Sequence, residues 1–402
     1  MLPEGWKRQT VADICEMQNG HGFGPNDWGA EGLPIIRIQN LNGGQKFDFY
    51  AGPTEPRWIV DPGQLLFAWA GTKGVSFGPT IWRGKRGVLN QHIFKVHANA
   101  GIDSAWLYWA LRHVTDRIEA NAHGFKATLV HVKKSDIDRQ SVIVPDQGTQ
   151  TRIAEVMQTW DEAITATEKL LANSCKQKQE LMRALLTGKK RFTRLQGSWQ
   201  HLDFDDVFER VTRKNFPGNS NVLTISGQLG LVSQSEYFNK SVASENLSGY
   251  TLLERYNFAY NKSYSAGYPQ GAIKPLVAHD AGVVSSLYVC FRIKAGVEAD
   301  FDFFRHYFEA GLLNEEISGI AQEGARNHGL LNVSVTDFFK LRLHIPPVPV
   351  QRKIAEAINV AEAEERLFEN QLERLQTEKR ALMQQLLTGK RRVRLPASEA
   401  TP

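Results

Sequence analysis

The chain holds little cysteine: Cys15, Cys175 and Cys290 are the only three in 402 residues, far apart and odd in number. That argues against a disulfide framework and against a zinc knuckle. Long apolar runs are missing too, and none approaches the roughly 18 residues that cross a bilayer. The start, Met1-Leu2-Pro3-Glu4-Gly5-Trp6, has no apolar stretch after a basic beginning, so it does not read as a secretory signal. A cytoplasmic protein with no membrane partner is the expectation. Charge of one sign is scarce, with a net of only +5. This small excess hides local clusters such as Arg83-Gly84-Lys85-Arg86, Lys133-Lys134 and Lys189-Lys190-Arg191. An apolar share of 42% and a charged share of 23% suit an ordinary globular chain, and the length suits two or more domains.

Catalytic motifs are also lacking. Gly188-Lys189 and Gly389-Lys390 fail as phosphate loops, because Arg183 and Gln384 stand where the first glycine belongs and Lys190 and Arg391 replace the hydroxyl. Gly20-His21-Gly22-Phe23-Gly24 follows no buried strand and reads as a loop rather than a nucleotide site. No histidine pair brackets a glutamate at metal-site spacing, and Cys-x-x-Cys does not occur. Ile345-Pro346-Pro347-Val348 lacks the polar residue with which amino-methyltransferases hold a target amine. Asp203, Asp205 and Asp206 fit a helix start better than a nuclease metal site, since no lysine follows in a strand. Catalysis by this chain alone is therefore not expected, and no metal site is assigned.

What the chain does have is a repeat. "ALLTGKKRF" ends at Phe192 and "QLLTGKRRV" at Val393. Aligned at an offset of 201, residues 145–191 and 346–392 agree at 16 of 47 positions. Each copy carries a four-three alternation of seam residues, the period of a coiled coil. In the first copy the seam is Ile153, Met157, Trp160, Ile164, Thr167, Leu171, Ser174, Lys178, Leu181 and Leu185. In the second it is Ile354, Ile358, Ala361, Glu365, Phe368, Leu372, Leu375, Lys379, Leu382 and Leu386. Prolines precede each stretch, and Gly188 and Gly389 stand as C-terminal caps. About 38 residues at 1.5 Å each give helices of roughly 55–60 Å. An antiparallel pair within the monomer, with the globular segments at its opposite ends, is the expected arrangement.

Those globular segments echo one another as well. Both open on a tryptophan and a short helix (Trp6 then Val11–Ile14; Trp199 then Phe204–Val207), continue through glycine-broken β-runs, and reach an aromatic helix. The fold class expected is α+β: two modules joined by two long helices in an antiparallel coiled coil, with an internal pseudo-two-fold. The divisions are 1–144, first module; 145–192, central helix; 193–345, second module; 346–393, C-terminal helix; 394–402, flexible tail. Helices that match while modules differ suggest a shared docking task for the helices and separate recognition tasks for the modules.

The recognition surface reads as nucleic-acid binding. Tyr260, Asn261, Lys262, Ser263, Tyr264 and Tyr268 interleave aromatics, an amide and a cation around a glycine loop. Asparagine can pair with an adenine edge, lysine with phosphate or guanine, and tyrosine can stack. The corresponding stretch of the first module, Trp69 to Phe77, offers Lys73 and Ser76, followed by Arg83, Lys85, Arg86, Asn90 and Gln91. Lys126, Lys274 and Arg326 complete the DNA-contact candidates.

On these residues the chain resembles the specificity subunits of type I restriction-modification systems. The resemblance spans the whole length and is carried by "PDQGTQTRIAE" and "PPVPVQRKIAE" at the helix entries and "LLTGKKR" and "LLTGKRR" at the exits. It implies that each module reads one half of a bipartite duplex target and that the coiled coil sets the spacer. It also implies docking of two methyltransferase subunits and recruitment of restriction subunits. S-adenosylmethionine, ATP and Mg2+ would then belong to those partners, with no cofactor bound here. The contrasting readings are a single-chain restriction or modification enzyme, and a coiled-coil scaffold that binds only proteins.

Overall fold

The structure is a computed structural model that describes residues 2–121, 129–192, 197–227, 229–237, 244, 246–265, 267–321 and 331–394. The architecture is α+β. It divides into two compact units, Met1–Glu168 with Asn370–Pro402, and Lys169–Glu369. Each unit combines a globular module with half of each long helix.

The central long helix runs Gln147–Leu186 and the C-terminal one Val348–Leu387, 40 residues each. At 1.5 Å per residue that is about 60 Å. The C-terminal helix begins upstream of its seam and carries Pro349 in its first turn, where a missing N–H costs nothing. Every predicted seam position is buried or half-buried, while the positions between are largely exposed. The pairing is antiparallel. In the first unit Ile153 and Met157 share a core with Met383, Leu386 and Leu387. In the second, Met182, Leu185 and Leu186 share one with Ile354 and Ile358.

The polar seam residues are matched rather than merely tolerated. Lys379 is ion-paired to Asp161 and lies 4.6 Å from the Trp109 ring. Lys178 is paired to Glu365, which also accepts from the Cys175 thiol at 2.8 Å.

Beyond the helices, the units repeat one topology. An antiparallel sheet in the first unit is ordered Cys15–Asn19, Ile93–Ala98, Leu65–Ala68, Gly78–Ile81. Its counterpart is ordered Phe208–Arg210, Val289–Ile293, Phe258–Asn261, Ala272–Pro275. A two-stranded ribbon accompanies each, Lys7–Thr10 with Ser141–Val144 and Gln200–Asp203 with Arg342–Ile345. The units differ in their remaining strands. The first adds a mixed sheet in which Leu33–Ile36 and Gly87–Leu89 run parallel. The second adds the hairpin Leu223–Ser226 with Gly230–Ser233 and the pair Thr251–Glu254 with Ala281–Val284.

The repeated motif residues have mechanical explanations. Gln150 accepts the Asp103 N–H at 2.8 Å and donates to the Pro145 carbonyl at 2.9 Å. Gln351 does the same with Asp300 at 3.0 Å and Pro346 at 2.9 Å. Asp103 and Asp300 in turn accept an N–H from the first turn of the aromatic helices, Ser104–Asn121 and Phe301–Glu309. One buried glutamine thus fastens each long helix to the aromatic helix of its own module.

Leu-Leu-Thr-Gly-Lys is a helix end. Gly188 and Gly389 both have φ of +71°, and Lys190 and Arg391 donate back to Ala184 and Gln385. That is a Schellman cap, which a β-carbon would strain. A side chain at Gly188 would meet the Trp199 ring, and one at Gly389 would meet Pro3 and Trp6. So each module's opening tryptophan seats on the end of a long helix.

Where the sequence suggested one aromatic helix in the second module, the structure breaks it. Phe301–Glu309 ends near Gly311 (φ +70°), and Asn314–Ile320 follows. Asp206 accepts the Asp203 N–H at 2.8 Å, a helix start as expected.

Candidate nucleic-acid interface

The shared sheet topology brings one connection in each unit to the same sheet end. In the first unit Leu65–Ala68 leaves through Trp69–Phe77 into Gly78–Ile81. In the second, Phe258–Asn261 leaves through Lys262–Gly271 into Ala272–Pro275.

At that end of the first unit, Asn90, Gln91 and His92 lead into Ile93–Ala98, and His21 bridges to Asn90. Lys73 is exposed on the turn, where the Gly74 N–H donates to Glu119 at 2.8 Å. Ser76 is half-buried, its hydroxyl accepting the Thr72 N–H at 2.7 Å. Gln91 is exposed, but Asn90 is 9% exposed, held within the fold. Arg83, Lys85 and Arg86 are exposed at the far end of Gly78–Ile81, a strand length of about 13 Å away. Arg86 pairs there with Asp61 at 3.3 Å. The six cations and amides expected to act together are therefore split between two ends of one strand. Lys126 lies outside the described residues.

Sequence reasoning missed an aromatic and imidazole group at the first end. Trp69 donates its ring N–H to the Gln91 carbonyl at 3.1 Å, with His92 and His131 rings 5.2 and 4.8 Å away. His21 stacks on Trp58 at 4.0 Å, and Arg57 lies over the Trp58 ring at 5.8 Å. The signal was present only as scattered histidines; strand pairing assembles them.

In the second unit the candidates sort by burial. Tyr260 is fully buried, stacked on Phe338 at 5.0 Å, with its hydroxyl donating to Gln270 at 2.9 Å. Lys274 is 6% exposed and paired to Glu309. Both were candidates for DNA contact, and both are committed to the core. Their strands are covered on both faces, so alternation gave no warning. Lys262 donates to the Val333 carbonyl at 2.7 Å, and burial, with Arg210 nearby, lowers its pKa. Tyr268 lies 2.7 Å from both the Gly227 carbonyl and Glu309, and accepts from Lys274 at 2.8 Å. These groups fasten Tyr268 to Gly227, at the end of Leu223–Ser226. Asn261 accepts the Ser263 N–H at 3.1 Å, and Tyr264 is 65% exposed. Leu229, next to the strand Gly230–Ser233, is 66% exposed. Arg326 lies outside the described residues.

Behind the surface, a charged network ties the second aromatic helix to the C-terminal helix. Arg305 reaches Glu362 at 2.9 Å, Asp302 at 3.1 Å and Asn359 at 2.8 Å, and His306 meets Asn359 at 2.7 Å. Burial raises the Glu362 pKa, but the bond and charge of Arg305 outweigh it and hold the carboxyl below its usual range. Burial first, then Arg305, lower the His306 pKa, with Asp302, Glu362 and Asn359 opposing. A depressed histidine stabilises the fold while neutral. That contribution is complete above the ordinary pKa near 6.5 and fades as pH falls through the folded value. His306→Gln is expected to flatten the loss of unfolding free energy measured by urea titration between pH 7 and 5. The wild type should show an added slope of up to about 1.4 kcal/mol per pH unit from this proton. Identical slopes in both proteins would contradict it.

Among the described residues no group of acids, histidines and cysteines could hold a metal, and no helix is long and apolar enough to cross a membrane.

Residues 3–174 match the family described as type I restriction modification DNA specificity domain. The chain is 24% identical over 173 residues to the EcoBI type I restriction enzyme specificity subunit of Escherichia coli, covering 42% of this chain and 35% of that protein. It is 22% identical over 436 residues to the MjaVIII specificity subunit of Methanocaldococcus jannaschii, covering 98% and 94%. Among solved structures, a type I restriction-modification S subunit from M. genitalium aligns with a TM-score of 0.52 at 17% identity, covering 95% of this chain and 96% of that one. A chain from a structure addressing assembly and conformational transition of the type I system aligns at 0.59 with 14% identity, covering 97% and 100%. The family match thus covers residues 3–174, and the fold of the chain is shared almost end to end with that of a solved type I S subunit.

Proposed function

We propose that this chain is the DNA-reading subunit of a type I restriction-modification complex, without catalysis of its own. Each module reads one half of a bipartite duplex target, and the paired helices set the spacer and dock two methyltransferase subunits. Restriction subunits join that assembly, and S-adenosylmethionine, ATP and Mg2+ belong to the partners. One observation carries this reading. The units share sheet order, glutamine fastening and capped helix ends, yet the connections at the common sheet end differ in their exposed side chains among the described residues. Lys73 and Val75 are exposed on one, with Gln91 and His131 beside it, and Tyr264 and Pro269 on the other, with Leu229 beside it. A constant frame with variable tips suits two readers of unlike sequences.

Exchanging residues 1–144 for the corresponding module of a relative is expected to change one half-site and spare the other. Sequencing of methylated sites in cells expressing the chimera with its methyltransferase subunit reads this directly. Change in both halves, or in neither, would refute independent reading.

A further inference from the structure

In the first unit the ribbon Lys7–Thr10 with Ser141–Val144, the aromatic helix and the capped end of the C-terminal helix enclose a cavity of about 50 Å³. One water needs roughly 10–15 Å³ of such space. Its polar lining consists of Arg8, His113, Arg117, Ser141 and Thr388, with no carboxylate. His113 and Arg117 stand four residues apart on one helix face. The Arg117 guanidinium donates to the Ser141 carbonyl at 2.5 Å, and Arg8 donates to the Ser141 hydroxyl at 3.3 Å. The Arg117 Nε is fully buried and has no hydrogen-bond partner among the described residues.

His113 and Arg117 are half-buried, and a charge partly withdrawn from water without a counter-charge is costly. Burial and then Arg8 lower the Arg117 pKa, and burial and then Arg117 lower that of His113, as expected where no anion offsets them. The second unit handles a comparable half-buried guanidinium in the opposite way: Arg305 has two carboxylates and an amide. Among the described residues, neither Arg8 nor Arg117 has an ion-pair partner.

We propose that this cavity is an oxyanion site for a phosphate group, held by the Arg8 and Arg117 guanidinium groups with Ser141 as a neutral donor. Two guanidinium groups balance a phosphate more fully than the single charge of a carboxylate, and their forked N–H groups match its oxygens. The phosphate is that of a free phosphate compound or of a nucleic-acid backbone. The site itself does not depend on which sequence the modules read.

Isothermal titration of the full chain with inorganic phosphate, at ionic strength held constant with chloride, tests the assignment. One saturable site per chain is expected, weakened at least about tenfold in Arg117→Gln and in Arg8→Gln. Arg8 is exposed, so its replacement leaves the fold intact even if Arg117→Gln unfolds. No saturable binding beyond the chloride control, or undiminished binding by Arg8→Gln, would overturn the proposal. Repeating the titration with saturating duplex separates the sources. Loss of phosphate binding then assigns the site to the DNA backbone, and retained binding assigns it to a free phosphate compound.

Discussion

Phe208→Ala is expected to lower the unfolding free energy by about 3–5 kcal/mol, the range for a large aromatic truncated in a core that cannot collapse. Phe208 is completely buried, with rings of Phe204, Phe304, Phe291 and Phe308 at 4.5, 4.8, 5.3 and 5.7 Å. The neighbours are held from several directions and cannot close over the hole. The same core takes in Leu185, Leu186, Ile354 and Ile358 of the long helices. Loosening it therefore also frees the helix halves seated in this unit. Urea denaturation followed by circular dichroism gives the loss, with Phe208→Leu as a control expected to lose less than about 1.5 kcal/mol. A loss below 1 kcal/mol for the alanine variant, far under the roughly 3–5 expected, would show that the aromatic cluster is not the keystone of this unit.

Inserting one heptad into each long helix, beside Glu168 and beside Glu369, is expected to lengthen the spacer and leave both half-site sequences as they were. Seven residues add about 10 Å, close to three base pairs at ~3.4 Å each. A whole heptad keeps the apolar seam in phase to within ~20°. Methylation of the original target should fall at least about a hundredfold, since only one half-site can then be engaged. The target with the longer spacer should be methylated instead. If the original spacing stayed preferred, the helices would not act as the ruler.

The sequence disclosed the repeat, the seam and the helix ends with little loss, because all three are local patterns. Ile153, Met157 and Leu185 recur at a period that only a helix satisfies, and Gly188 marks an end that only a left-handed residue can make. The glutamine fastening was visible as Gln150 and Gln351 but had no meaning until Asp103 and Asp300 stood beside them.

The candidate site was legible only as a neighbourhood. Trp69–Phe77 and Lys262–Gly271 do occupy corresponding connections, which a shared order of short strands had suggested. Which side chains face outward was not legible. Phe258–Asn261 and Ala272–Pro275 are covered on both faces, so alternation cannot say that Tyr260 and Lys274 point inward while Tyr264 does not. The partner that settles Lys274, Glu309, lies 35 positions away.

By itself, then, the chain's order of residues determined that two like frames exist, each fastened to halves of two long helices, because turn, cap and heptad signals act over a few residues. Tertiary structure alone decided that Lys274 is matched and Arg117 is not. Whether a charge drawn partly or wholly from water meets its counter-charge depends on elements brought together from distant parts of the chain, for Arg117 a ribbon, an aromatic helix and a helix end.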